Sequence, residues 1–403
     1  MRGREFSGFD VDTLTEAVSP PPLDELRSTA RSRRRRSVAM VAAALVALAG
    51  LTTVPLVTGA DRPDPVAPAQ PSSAQGDVFT LTGPDSGVDV DVSEDTCVVR
   101  FAYTGDRGRT WSDWDAARFQ GARCRANAAT GTAAGRNEFT VLGERSYLVS
   151  DSGTLHLSTD YGRTWRDANS AVVAVPAFPA TARPVFCGFG CRPLSEPLAV
   201  DPSSGTVYRL TAKAPSWRPL FSLYPATDGS IWAAYRMGSG SSGATLARSA
   251  DGGATWDAWE VGDDADVAAV VGLDDRRGYA LVDSPTADGG MRLLRTTDGA
   301  KTWTNVDVDL PRGTWDLTVG VDGSLLAISS SEGAEPDRLG RLLVSRDDGR
   351  HFTLAREYGP SVGAVSVAPG YAWLYGRDGP TGEPDHVLVT ADATAWSRFT
   401  LKP

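Results

Sequence analysis

From residue 96 to the C-terminus, short apolar stretches alternate with polar, glycine-bearing turns. The runs at 96–103, 154–157, 292–295, 341–344 and 386–389 are apolar at every second position or continuously. Those are the patterns of half-buried and fully buried β-strands. No helical period follows residue 60, so the bulk of the chain reads as all-β.

One segment departs from this pattern. Residues 37–60 carry no charge, and 38–49 are continuously apolar. At a rise of about 1.5 Å per residue, such a helix spans a bilayer core of about 30 Å. The pattern therefore predicts a transmembrane helix over 37–60. Arg31, Arg33, Arg34, Arg35 and Arg36 precede it directly, and flanking positive charge stays on the cytoplasmic side. Residues 1–36 are thus expected as a cytoplasmic tail and everything after the span as extracytoplasmic. A cleaved signal peptide ending at Thr58-Gly59-Ala60 is an alternative, as is a loose twin-arginine signal at Arg35-Arg36. A flank of 36 residues with six acids is long for either. The proline-rich stretch 61–76 reads as a semi-rigid spacer, which leaves 77–403 as the extracytoplasmic domain. In the tail, Phe6, Phe9, Leu14 and Val18 lie near Asp12 and Glu16 and could order on a partner.

A repeat organises that domain. Thr104-Gly105-Asp106-Arg107-Gly108-Arg109-Thr110-Trp111, Ser158-Thr159-Asp160-Tyr161-Gly162-Arg163-Thr164-Trp165 and Ser249-Ala250-Asp251-Gly252-Gly253-Ala254-Thr255-Trp256 share one pattern. Thr296 to Trp303 repeats it around Asp298, with Ala300 where glycine is usual; Ser345 to Phe352 repeats it around Asp347, ending His351-Phe352. Two shorter copies, each lacking one residue, run from Thr211 to Trp217 and from Thr390 to Trp396, the latter around Asp392. The closing aromatics are spaced by 54, 52, 39, 47, 49 and 44 residues. That interval suits a four-stranded propeller blade. About seven antiparallel blades are expected, or six if one short copy is not a blade.

The octapeptide resembles the Asp-box, or BNR repeat, of the sialidase-like propellers. The resemblance implies that each box is the turn between the third and fourth strands of a blade, on the face opposite the ligand site. Glycine supplies the positive φ of the turn, the Asp carboxylate accepts backbone N–H groups, and the aromatic residue opens the fourth strand against the blade. The box residues are accordingly read as structural, with all seven closing aromatics largely buried.

Sialidases resembling this fold use an arginine triad, a Tyr–Glu pair, an Asp acid/base and an Arg-x-Pro signature in the first blade. Residues 77–103 contain one arginine, Arg100, and no Arg-x-Pro occurs in the chain. Other box-bearing propellers, such as photosystem-assembly factors and sorting receptors, are binding scaffolds. A non-catalytic module for a glycan, peptide or protein ligand is therefore expected, with a sialidase-like or other glycosidase as the alternative. Its ligand would lie among the loops 237–243, 284–290, 331–337 and 378–385, between the second and third strands of their blades.

Charge and cysteine content narrow this further. The chain carries a net charge of −10, with residues 1–36 at +2 and the part beyond residue 60 at −12. An acidic domain does not suit nucleic acid. Arginine outnumbers lysine 37 to 3, with much alanine and glycine, as in GC-rich bacterial genomes. Cys97, Cys124, Cys187 and Cys191 lie beyond the span, where an even count reads as disulfides. Their clustering favours 97–124 and 187–191 among three possible pairings. The histidines are His156, His351 and His386, scattered over the repeats; no metal and no cofactor is expected.

Overall fold

The computed structural model describes residues 79–401, except 94–95, 122–137, 152, 188–190, 192–193, 238–242, 263–264, 284–290, 309, 312, 331–339, 359–364 and 379–383. The chain divides into two units, 1–70 and 71–403, and the described residues all belong to the second. The expected tail, membrane helix and spacer lie outside them. Among the described residues no helix is long and apolar enough to cross a membrane.

The second unit is built of seven four-stranded sheets. They occupy 80–120, 138–167, 173–210, 220–261, 267–306, 314–358 and 365–400 and are numbered here as blades 1 to 7. In six of them the strands follow chain order and pair antiparallel. Each blade packs its two faces against its neighbours, which explains the strand compositions. Ile231–Arg236 is buried along nearly its whole length, because both of its faces meet other blades. The outermost strand of the same blade, Asp257–Val261, alternates half-buried and exposed positions. The five sequence-predicted runs all fall on third strands, as at Met291–Thr296 and Gly340–Ser345.

The ring closes between blades 7 and 1. Phe79 and Leu81 pack with Trp373, Val387 and Phe399. The Phe79 N–H donates to the Tyr375 hydroxyl at 3.0 Å. Thr400 N–H donates to the Arg107 carbonyl at 3.2 Å, and the Trp111 indole N–H to the Thr400 carbonyl at 3.1 Å.

Blade 3 departs from the sequence reading. Its inner pairs, Arg183–Pro184 with Leu198–Val200 and Leu198–Val200 with Val207–Leu210, are antiparallel. Its outer strand is Val173–Val175, which precedes them in the chain and pairs parallel to Val207–Leu210. The segment from Thr211 to Trp217 is therefore not a turn between third and fourth strands. Trp217 opens no strand and is 77 % exposed. The outer edge it was expected to cover is already occupied, so the chain passes on to blade 4.

Cys187 and Cys191 are bonded to each other. Cys97 is disulfide-bonded as well; Cys124 lies outside the described residues.

Candidate functional site

The octapeptides form turns with one hydrogen-bond scheme. In blade 4 the Ser249 hydroxyl donates to Asp251 Oδ1 (2.8 Å) and accepts from Gly253 N–H (2.8 Å). Thr255 donates its N–H to Oδ1 (2.9 Å) and its hydroxyl to Oδ2 (2.6 Å). The same bonds surround Asp106, Asp160 and Asp298. Around Asp347 the His351 ring Nδ1 takes the place of the threonine hydroxyl, at 2.6 Å. The shortened turn in blade 7 keeps Asp392, whose Oδ1 receives Thr394 and Ala395 N–H at 2.8 and 2.9 Å.

These donors hold the carboxylates in the charged form. Asp298 is lowered to about 2, chiefly by the Thr302 hydroxyl and N–H. Asp392 is lowered to about 2 by the Ala395 and Thr394 N–H groups. Carboxylates engaged by the donors of their own turn have a structural task.

The closing aromatics Trp111, Trp165, Trp256, Trp303, Phe352 and Trp396 are half-buried, rather than largely buried as expected. Each lays part of its ring on a core cluster and leaves an edge at the surface. Trp165 meets Phe101 and Phe119, while its N–H donates to the Arg118 and Gly162 carbonyls.

The octapeptide turns (the box face below) and the first-to-second-strand turns share one face, tied together by Arg107 N–H to Asp85 O, Tyr161 N–H to Arg145 O and Gly299 N–H to Arg276 O, each at 2.9 Å. The opposite face receives the second-to-third-strand connections and the links between blades. This is the candidate ligand face, called the loop face below. Residues 238–242, 284–290, 331–339 and 379–383 of its predicted loops lie outside the described residues.

What the loop face shows is a series of cross-strand ion pairs. Arg218 meets Glu260 at 2.7 Å, Arg341 meets Glu357 at 2.5 Å, and Arg398 grips Asp378 with two bonds of 3.0 and 2.6 Å. Arg236 pairs with Asp266 while its guanidinium covers the Phe221 ring. Arg100 pairs with Asp91. These guanidiniums already have carboxylate partners, so a substrate carboxylate would have to displace one.

Near the Arg398 pair, Asp378, Asp385 and His386 bring three ligand-type atoms within 4.8 Å of one another. Arg398 Nη2 lies 2.6 Å from Asp378 and 3.7 Å from Asp385. A guanidinium already sits where a cation would, so the group reads as an ion-pair network.

A Tyr–Glu pairing does exist, but on the box face. The Tyr161 hydroxyl donates to Glu144 Oε1 at 3.2 Å, and the Tyr103 ring lies 5.6 Å from that of Tyr161. Burial, followed by Glu144, pushes both phenols up.

Several contacts join the inner strands of the ring. The segment after Arg183–Pro184 leaves blade 3, and Cys187 bridges antiparallel to Leu223 on the inner strand of blade 4. Phe186, just before the disulfide, packs against the core clusters of blades 4–6, 7–1 and 6–7. The Tyr224 hydroxyl crosses from blade 4 to blade 6, accepting Val319 N–H at 3.2 Å and meeting Thr318 Oγ1 at 3.3 Å. Next to this set, Asp316 is fully buried and raised to about 7 by desolvation, despite one bond from Leu317 N–H. Of these residues the sequence pointed only to Cys187, through its disulfide with Cys191. The available signal was the absence of strand pattern around Cys187-Gly188-Phe189-Gly190-Cys191, within a blade that also lacks a full box.

No protein-family model matches the chain, and no curated protein matches it. Solved structures do. YCF48 from Cyanidioschyzon merolae is 14 % identical with a TM-score of 0.30, the match covering 68 % of this chain and 92 % of that one. A Hadza microbial sialidase is 14 % identical with a TM-score of 0.39, over 81 % of this chain and 65 % of that one. An ancestral GH74 enzyme is 12 % identical with a TM-score of 0.42, over 81 % of this chain and 46 % of that one. All are chains to which this propeller is similar in fold.

Proposed function

We propose that the domain is a non-catalytic binding module, held outside the cytoplasm by one N-terminal membrane helix, with its ligand on the loop face. In this reading the octapeptides are Asp-box repeats and serve to tie the blades together on the other face. The observation that carries the proposal is the state of the loop-face arginines. Arg100, Arg218, Arg236, Arg341 and Arg398 each meet a carboxylate of their own chain, and the Tyr–Glu pairing lies on the box face. These five neutralised pairs suit recognition through shape and hydrogen bonds better than a clamp for an acidic sugar. The ligand class is a glycan, a peptide or a protein, and no nucleic acid is expected on a domain of net charge −11.

The test is turnover of fluorogenic sialosides and neutral glycosides by the purified protein, with glycan- and peptide-array binding in parallel. Array binding without turnover is expected; hydrolysis above an inactivated control sinks the reading and favours a glycosidase. Protease shaving of intact cells tests the anchor. The domain should be cleaved from outside while residues 1–60 stay with the membrane. Release of a soluble domain that begins after residue 60 without added protease would point to a cleaved signal instead.

A further inference from the structure

Among the seven closing aromatics Trp217 stands apart. The others are half-buried against a blade, whereas Trp217 is 77 % exposed. Its release follows from the arrangement of blade 3. Val173–Val175 fills the outer edge, and the Thr211 N–H donates to the Val175 carbonyl at 2.8 Å. The chain then reaches the loop-face end of blade 4, where Trp217 precedes the strand Leu220–Pro225.

The exposed ring is held in place. The Arg218 guanidinium lies over it, 5.0 Å from the centroid. Arg218 cannot easily swing away, since its side chain is mostly buried and its Nη1 donates to Thr245 Oγ1 at 3.0 Å and Glu260 Oε2 at 2.7 Å. Its N–H donates to Ser216 Oγ at 3.2 Å, and Ser216 Oγ meets Thr245 Oγ1 at 2.9 Å. One side of the indole is therefore backed by a fixed cation, and the rest is presented to solvent. Exposing so large a ring in a fixed orientation is unfavourable in the free protein, which is what a preorganised contact would look like.

The surroundings select the ligand. The rim of Ser216 and Glu260 is polar, so an apolar protein patch finds no continuous partner here. A pyranose offers the matching surface, with a C–H face for the ring and hydroxyls at its edge for the rim. Arg218 and Glu260 neutralise each other, which removes any preference for an anionic sugar. We infer that Trp217 is the platform of a subsite for a neutral pyranose residue, on the loop face at blade 4. The inference rests on the binding-module reading and specifies its ligand class.

The experiment uses the purified full-length chain and neutral gluco-, galacto-, manno- and xylo-hexasaccharides, read by calorimetry and by acrylamide quenching of tryptophan emission. At least one hexasaccharide should bind and shield part of the quenchable emission. Trp217→Ala should weaken that binding by about tenfold or more with an unchanged melting temperature, while Trp217→Phe should retain most of it. Glu260→Gln, which loosens the Arg218 support, should cost a few-fold in affinity. Equal affinity in wild type and Trp217→Ala overturns the platform. No saccharide binding by the wild type overturns it too; peptide-array binding would then keep the binding-module reading alive, and silence on both arrays would end both.

Discussion

At the scale of single residues, burial decides the behaviour of Asp316. Desolvation lifts its carboxylate to about 7, against an ordinary value of 3.8. A raised acid binds its proton more tightly in the folded state. Its contribution is therefore favourable below about pH 4 and is lost as pH rises towards 7, leaving the fold less stable above that. Asp316→Asn should remove this loss. Chemical denaturation at pH 8 should show the variant more stable by roughly 1–3 kcal/mol, with the difference vanishing below about pH 4. The Tyr224 phenol, itself pushed up by burial, is the titratable neighbour from blade 4. A second residue-scale effect is steric. Gly108 has φ +76°, and a Cβ there would lie 1.9 Å from the Thr400 carbonyl oxygen. At Gly299, with φ +77°, the nearest atom would be Asp275 O at 3.2 Å. Gly108→Ala should cost at least about 2 kcal/mol and Gly299→Ala about 1 kcal/mol, read by urea titration.

At the scale of elements, the turn and the strand after it work as a unit. Oδ1 and Oδ2 of the box aspartate tie the turn, and the aromatic residue that follows lays its ring on the blade core. Trp165 does so against two phenylalanines with its N–H satisfied. Trp217 belongs to no such unit. Trp165→Ala should therefore destabilise by about 2–4 kcal/mol, and Trp217→Ala by no more than about 0.5 kcal/mol. Thermal melts of the two variants side by side check this, and similar losses would contradict the account of blade 3. The recurring register shift on the first strands of blades 4, 5 and 6, at Leu220/Ser222, Val267/Ala269 and Thr314/Asp316, is an element-scale device as well. Such bulges bend the innermost strands; that of blade 6 lies at Asp316.

At the scale of the whole molecule, stability depends on joining the ends of the array. Phe79 and Phe399, 5.5 Å apart, come from opposite ends of the described chain. The Cys97 disulfide lies in blade 1, whereas Cys187–Cys191 closes a loop of four residues' separation. Short loops gain little chain entropy when closed, and longer ones gain about 3–4 kcal/mol. Cys97→Ser should thus lower the melting temperature clearly more than Cys187→Ser. A larger loss at Cys187 would mean that the segment bearing Phe186 and Cys187 stabilises the ring more than the Cys97 disulfide does.

The features legible in the sequence are those built from near neighbours. The box turns close through bonds spanning two to four residues, so Thr104, Asp106 and Thr110 announce the turn by their spacing alone. The third strands were legible because their apolar runs end at those turns, and the blade count followed from the repeat length. The short copy at Asp392 obeyed the same local rule, whereas the one ending at Trp217 did not. The difference was decided elsewhere, by Val173–Val175 taking the outer edge of blade 3 in parallel. The contacts joining the inner strands are of the same kind: Tyr224 meets Thr318 across 94 residues and Phe186 touches three separate clusters. The ion pairs that neutralise the loop face also join different strands, as Arg218 with Glu260 across 42 residues. Local hydrogen-bond geometry thus determines the repeating unit from sequence. Which edges are filled, which ring is left outside and which charges meet depends on partners that only the closed ring brings together.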